Sequence, residues 1–160
     1  MADKISQTRT VSPQEAKTAI THCLALKRPV MVWGAPGIGK SDIVKQIGTD
    51  AKREVIDIRL PLWEPTDIKG IPFFNSKSNT MEWAPPAELP SDPKSTAILF
   101  LDELNSAPPS VQAAAYQLIL NRRVGTYKLP EGVSIVAAGN RETDKGCLLY
   151  TSPSPRDLWI

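Results

Sequence analysis

One stretch limits the possible folds more than any other: Gly34-Ala35-Pro36-Gly37-Ile38-Gly39-Lys40-Ser41, preceded by Val30-Met31-Val32-Trp33 and followed by Ile43, Val44 and Ile47 at helical spacing. A four-residue apolar run that ends in glycine reads as a strand buried on both faces. The loop fits G-x-x-x-x-G-K-[ST], in which glycines let successive backbone N–H groups turn inward around a phosphate while the helix start adds its positive dipole end. In that reading Lys40 reaches the β and γ phosphates and Ser41 offers its hydroxyl to Mg²⁺. The bland alternative is a chance glycine-rich turn. The order strand, glycine loop, helix predicts an α/β fold in three layers, α/β/α, with a mainly parallel sheet.

The rest of the chain continues the alternation. Ser12, Pro13 and Glu15 form the start signal of a helix with a capping box, and Ala16, Ala19, Ile20, Cys23 and Leu24 make its apolar face. Glu54–Arg59 is a strand candidate with partial alternation. Residues 61–93 hold seven of the 15 prolines, interspersed with Trp63, Phe73, Phe74 and Trp83. Proline at that density excludes a long helix, and the aromatics argue for an ordered insertion, with a short hairpin around Asn75–Asn79. Ala97–Leu101 is the strongest strand. Ser110 can cap a helix whose face is Val111, Ala114, Ala115, Leu118 and Ile119, closed by Arg122, Arg123 and Gly125. Tyr127–Val133, with a turn at Pro130-Glu131-Gly132, reads as a small hairpin before a last buried strand, Ile135–Asn140.

Two strand ends carry polar groups toward the loop. In open α/β sheets ligands sit outside the carboxyl ends of the strands, so Asp102 and Glu103 fall near the phosphate loop. Asp102 suits a magnesium ligand and Glu103 a general base that polarises an attacking water; the alternative is a solvated strand end. Asn140 can hydrogen-bond both a γ-phosphate oxygen and that water, or be a simple turn residue.

Composition narrows the classes. The chain has 160 residues, 41% hydrophobic and 22% charged, with a formal charge of +2 and no long block of either sign. That supplies no argument for nucleic acid or an anionic membrane. No apolar run approaches the ~18–20 residues of a membrane span, and the expected compartment is the cytoplasm. Cys23 and Cys147 give no zinc or disulfide framework, and His22 reads as structural.

With these motifs in hand the chain resembles the AAA+ ATPases: GAPGIGKS, LFLDEL and AAGN look like Walker A, Walker B and sensor 1. Asp67-Ile68-Lys69-Gly70-Ile71-Pro72, Trp83–Pro90, Leu118–Gly125 and Lys128-Leu129-Pro130, with Ala137 to Asp144, resemble the MoxR branch. The resemblance implies a P-loop NTPase that binds ATP with Mg²⁺ and hydrolyses it to remodel or mature a client complex. It would work as a homo-oligomeric, commonly hexameric, ring with a von Willebrand A domain partner. Residues Gly34 to Ser41 would bind nucleotide, Ser41 and Asp102 would hold the metal, and Lys40, Glu103 and Asn140 would serve catalysis. A nucleotide-binding fragment without effective turnover and a nucleic-acid motor are the competing readings. The family's sheet order is 5-1-4-3-2. A fifth strand, a helical lid, an arginine finger and a sensor 2 arginine are missing here, which implies weak turnover and an exposed edge at Val30–Trp33. The expected organisation is a tail at 1–11, a partial ATPase core at 12–146 with the insertion at 61–93, and a tail foreign to the domain at 147–160.

Overall fold

The computed structural model describes residues 10–140 and a strand at Cys147–Tyr150. Most of the expected N-terminal tail, the Arg141–Asp144 end of the last motif and most of the expected foreign tail lie outside the described residues. In chain order the elements are β1 (Thr10–Val11), α1 (Pro13–Ala25), β2 (Val30–Trp33), α2 (Lys40–Asp50), β3 (Val55–Arg59), α3 (Pro65–Lys69), β4 (Ile71–Asn75), β5 (Thr80–Ala84) and β6 (Ile98–Asp102). Then follow α4 (Pro109–Asn121), β7 (Arg123–Val124), β8 (Tyr127–Lys128), β9 (Ser134–Gly139) and β10 (Cys147–Tyr150). One-turn 3-10 helices stand at Leu60–Leu62 and Leu104–Ser106.

The main sheet has the order β1-β10-β2-β9-β6-β3, and β2, β9, β6 and β3 run parallel. Those four strands reproduce the expected order 1-4-3-2. Side chains alternate across them, as a pleated strand requires. Val30, Val32, Ile98, Phe100, Val136 and Ala138 pack under α1 and α2. Met31, Leu99, Leu101, Ile135 and Ala137 pack under α4 and the insertion. The fold is the predicted three-layer α/β/α P-loop NTPase arrangement.

The start of α1 is as its sequence dictates. The Glu15 N–H donates to Ser12 Oγ at 3.3 Å and the Ser12 N–H to Glu15 Oε2 at 2.8 Å, closing the capping box. The insertion is ordered: β4 and β5 pair antiparallel, Asn75 opposite Thr80, with the turn at the expected place.

Three expectations change. First, Val30–Trp33 is not an edge. Its outer side pairs antiparallel with β10, Leu148 opposite Trp33 and Tyr150 opposite Met31, and β1 pairs with β10 in turn. The backbone groups of an uncovered strand are a template for another strand, and here this chain's own 147–150 segment satisfies them. Second, the small hairpin turns at Gly125-Thr126, pairing β7 with β8, because Gly125 at φ +57 provides the left-handed residue a tight turn needs. Pro130–Gly132 is a separate turn, closed by the Val133 N–H on the Pro130 carbonyl at 3.1 Å. Third, Ser110 lies inside α4, whose cap residue is Pro108 with no side-chain cap bond. Nor does Arg122 simply face a helix end: its guanidinium donates to the carbonyls of Pro130 at 2.8 Å and Val133 at 2.7 Å, tying α4 to the segment before β9. Burial lowers its pKa.

Candidate functional site

The carboxyl ends of β3, β6 and β9, the loop after β2 and the start of α2 enclose a cleft of about 360 Å³. Pro36, Gly37, Gly39, Lys40, Ser41, Asp102, Glu103 and Asn140 line it. Sequence spacing therefore brought the loop, the acid pair and the amide into one place. Gly34, Ala35 and Ile38 complete the loop without lining the cleft wall. Gly39 caps α2 at φ +88, a conformation that costs a glycine little and lets the chain enter the helix directly from the loop.

Lys40 and Asp102 are the buried charged side chains among the described residues, each 8% exposed. Burying a charge is costly unless it is well hydrogen-bonded, and both are. Lys40 Nζ donates to the carbonyls of Gly34 at 2.7 Å and Ala35 at 2.9 Å and to Asn140 Oδ1 at 2.7 Å. Ser41 Oγ donates to Asp102 Oδ2 at 3.3 Å, and the Glu103 N–H donates to Asp102 Oδ1 at 2.9 Å. The loop is thereby joined to β9 through Lys40 and to β6 through Ser41. Glu103 follows β6 with φ +55, a left-handed conformation uncommon outside glycine; this sharp turn ends the strand and places the second carboxylate at the cleft wall.

The structure adds residues that sequence reasoning missed. Asn105, in the 3-10 turn after the acid pair, accepts the Asn140 N–H on Oδ1 at 2.9 Å and donates through Nδ2 to the Asn140 carbonyl. Gln112 Nε2 of α4 donates in turn to the carbonyls of Asn105 at 3.2 Å and Ala107 at 2.8 Å. A short polar chain thus runs from α4 to Asn140 and Lys40. Gly139 is flush against it: a Cβ there would meet Trp33 at 2.8 Å and Asn105 Oδ1 at 2.9 Å. No local signal marks Asn105, since an asparagine after a strand is ordinarily a turn residue.

Two further cations, Lys45 and Arg59, also line the cleft. Arg59 stands opposite Asp102 in the β3–β6 register. On the same strand, Asp57 has its pKa raised, first by burial and then by Asp102, with Lys45 and Arg59 opposing. Cleft electrostatics are therefore mixed: cations on α2 and β3 face carboxylates on β6. Among the described residues no three His, Cys, Asp or Glu side chains converge as a metal cluster, and no helix is long and apolar enough to cross a membrane.

Comparison with known proteins bears on the family and the fold. A family profile described as "ATPase family associated with various cellular activities (AAA)" matches residues 29–154. The chain is similar to midasin of Giardia intestinalis, 30% identical over 123 residues, which are 75% of this chain and 2% of that protein. Among solved structures it resembles a Cytophaga hutchinsonii protein assigned as an ATPase, with TM-score 0.57 and 19% identity over 90% of this chain and 43% of that one. It also resembles a point mutant of RuvB from Thermotoga maritima, with TM-score 0.55 and 18% identity over 82% and 40% of the two chains. NtrX from Brucella abortus in complex with ADP is similar at TM-score 0.55 and 17% identity, over 84% and 31%. At these identities the structural likeness is one of fold.

Proposed function

Since the chain belongs to the ATPase family associated with various cellular activities, we propose that its phosphate-loop cleft binds ATP and that the residues gathered there hydrolyse it. The observation that carries this reading is the pair of bridges Lys40 to Asn140 and Ser41 to Asp102, which join the loop to the polar ends of two neighbouring strands.

In this proposal the backbone N–H groups of residues 37–41, where the loop runs into the start of α2, cradle the phosphates. Lys40 exchanges its carbonyl and amide acceptors for β- and γ-phosphate oxygens. The oxygens of Ser41 and Asp102, 3.3 Å apart, suit a hard cation that keeps several waters and phosphate ligands. Mg²⁺ held there would supply neutralisation of the phosphate charge. Glu103 takes a proton from the attacking water as its oxygen bonds to the γ-phosphorus. The bond from that phosphorus to the β–γ bridging oxygen breaks, leaving ADP and inorganic phosphate. Asn140, its backbone clamped by Asn105, orients the water and a γ-phosphate oxygen through its side-chain amide. Lys45 and Arg59 add positive charge at the cleft wall, where phosphate charge accumulates.

The finer assignment is to the MoxR type. It is supported by the Asp67–Pro72 motif at the foot of the β4–β5 hairpin, where Gly70 at φ +89 leads out of α3. On that assignment ATP turnover drives remodelling or maturation of a client complex in the cytoplasm, by a homo-oligomeric ring working with a von Willebrand A domain partner. The matched curated relative is far longer than this chain, which spans 2% of it, so these whole-protein activities rest on the resemblance.

Nucleotide binding and phosphate release by the full chain test the proposal. Lys40→Ala is expected to lose ATP binding and release together, because it removes the buried cation at the centre of the loop. ATP binding of unchanged strength in Lys40→Ala would falsify the assignment of the cleft.

A further inference from the structure

A second concavity lies away from the nucleotide cleft. A groove of about 820 Å³, against about 360 Å³ for the cleft, runs along β3 from Glu54 to Ile58 and is walled on its far side by residues 87–96. Among the described residues β3 pairs with β6 alone and ends the sheet. The Ile98 N–H donates to the Glu54 carbonyl at 2.7 Å. Alternation in a parallel ladder then turns the N–H and C=O groups of Val55 and Asp57 outward, away from β6. The far wall is held in place: Leu89 is buried, and Tyr127 Oη donates to the Pro90 carbonyl at 2.5 Å.

The groove's chemistry selects an occupant. Half-buried Ile56 and Trp63 form its apolar side, and its charged lining is acidic at Glu54, Glu88 and Asp92 and basic at Lys94, the Asp57 carboxylate lying on the other sheet face toward Lys45 and Arg59. A second copy of β3 would bring carboxylates against carboxylates. From the unpaired edge, the apolar side and the acidic lining together, we propose that this groove takes up an extended basic segment of a partner protein as a strand added to β3. Backbone bonds to Val55 and Asp57 would supply affinity, and alternating apolar and basic side chains would supply specificity. This is independent of the nucleotide reading, because the groove and the cleft share none of the phosphate-loop residues.

The test uses the full chain and a fluorescein-labelled peptide, acetyl-Lys-Ile-Arg-Ile-Lys-Val-Lys, with binding followed by anisotropy and backbone protection by amide hydrogen exchange. Saturable binding with new protection at the Val55 and Asp57 amides is expected. Affinity should fall by about tenfold or more in the exposed charge-reversal pair Glu54→Lys/Glu88→Lys, as expected for lost charge complementarity. It should fall similarly when alternate peptide nitrogens are methylated, which keeps the charge but removes the ladder donors. Absence of binding, undiminished binding of the methylated peptide, or protection elsewhere than β3 would overturn the proposal. So would self-association of the chain that the charge reversal abolishes, which would give the edge to a second copy. ATP binding measured in the same samples separates failure here from failure of the nucleotide site.

Discussion

The strand β6 and the hairpin β4–β5 are each built from five-residue strands rich in large apolar residues, and they put them to opposite use. All five residues of β6 are buried, on both faces of the sheet. In the hairpin, Ile71, Phe74 and Met81 are 65%, 61% and 66% exposed. A parallel strand sandwiched between helix layers must be a continuous apolar run, and its rigidity holds Asp102 at a fixed place beside the loop. A two-stranded hairpin has little stability of its own. Its attachment to the core comes from flanking residues, with Ile68 before it and Leu89 after it buried. The difference teaches that apolar content alone does not mark the core here. What marks it is cover: β6 is packed on both faces, whereas β4 and β5 pair only with each other.

Substitutions can break that contrast. Phe100→Ala in β6, 1% exposed, is expected to destabilise the fold by about 3–5 kcal/mol. Phe74→Ala in the hairpin should stay within about 0.5 kcal/mol. Urea unfolding of both variants checks this, and equal losses would erase the distinction. A smaller effect is expected at the polar chain behind the site. Asn105→Ala leaves the Asn140 N–H and carbonyl without their partner, so turnover should drop by about tenfold, equivalent to ~1.4 kcal/mol. ATP affinity should hold, because Lys40 keeps its place; steady-state kinetics beside equilibrium binding separate the two.

A loss smaller than that in β6 concerns the anchor between core and insertion. Burial pushes the Tyr127 phenol up to about 12. The folded protein therefore holds this proton more tightly than the unfolded chain. The associated stability is fully present below the ordinary value near 10 and is lost as pH rises toward 12. Tyr127→Phe frees the Pro90 carbonyl, should cost about 1 kcal/mol at neutral pH, and should shrink the alkaline loss of stability seen in thermal unfolding across that window.

Much of the fold can be read directly because its signals are local. The capping box at Ser12, the buried runs at Val30–Trp33 and Ile98–Leu101, and the glycine loop are all defined within a few residues. The turn of the β4–β5 hairpin is equally visible, bounded by asparagines at both ends. What escapes reading depends on distant partners. Nothing within Cys147–Tyr150 says that it will pair with β2, because the pairing is decided by the backbone groups β2 leaves open. The Gly125 turn loses to the more conspicuous Pro130–Gly132, since proline marks a turn without saying which strands it joins. At the site, spacing places Lys40, Ser41, Asp102, Glu103 and Asn140 correctly around one cleft. Asn105 and Arg59 cannot be found that way, because their meaning lies in a 3-10 turn bonded to the end of another strand and in a register with Asp102.

In the proposed mechanism this cleft hydrolyses the nucleotide it binds, with Glu103 taking the proton from water. Its most direct test is ATP binding and single-turnover phosphate release measured side by side in the full chain and in Glu103→Gln, which keeps the side chain's shape but removes the base. The variant should bind ATP as the unaltered chain does and release no phosphate above background. Release at the unaltered rate would contradict that mechanism.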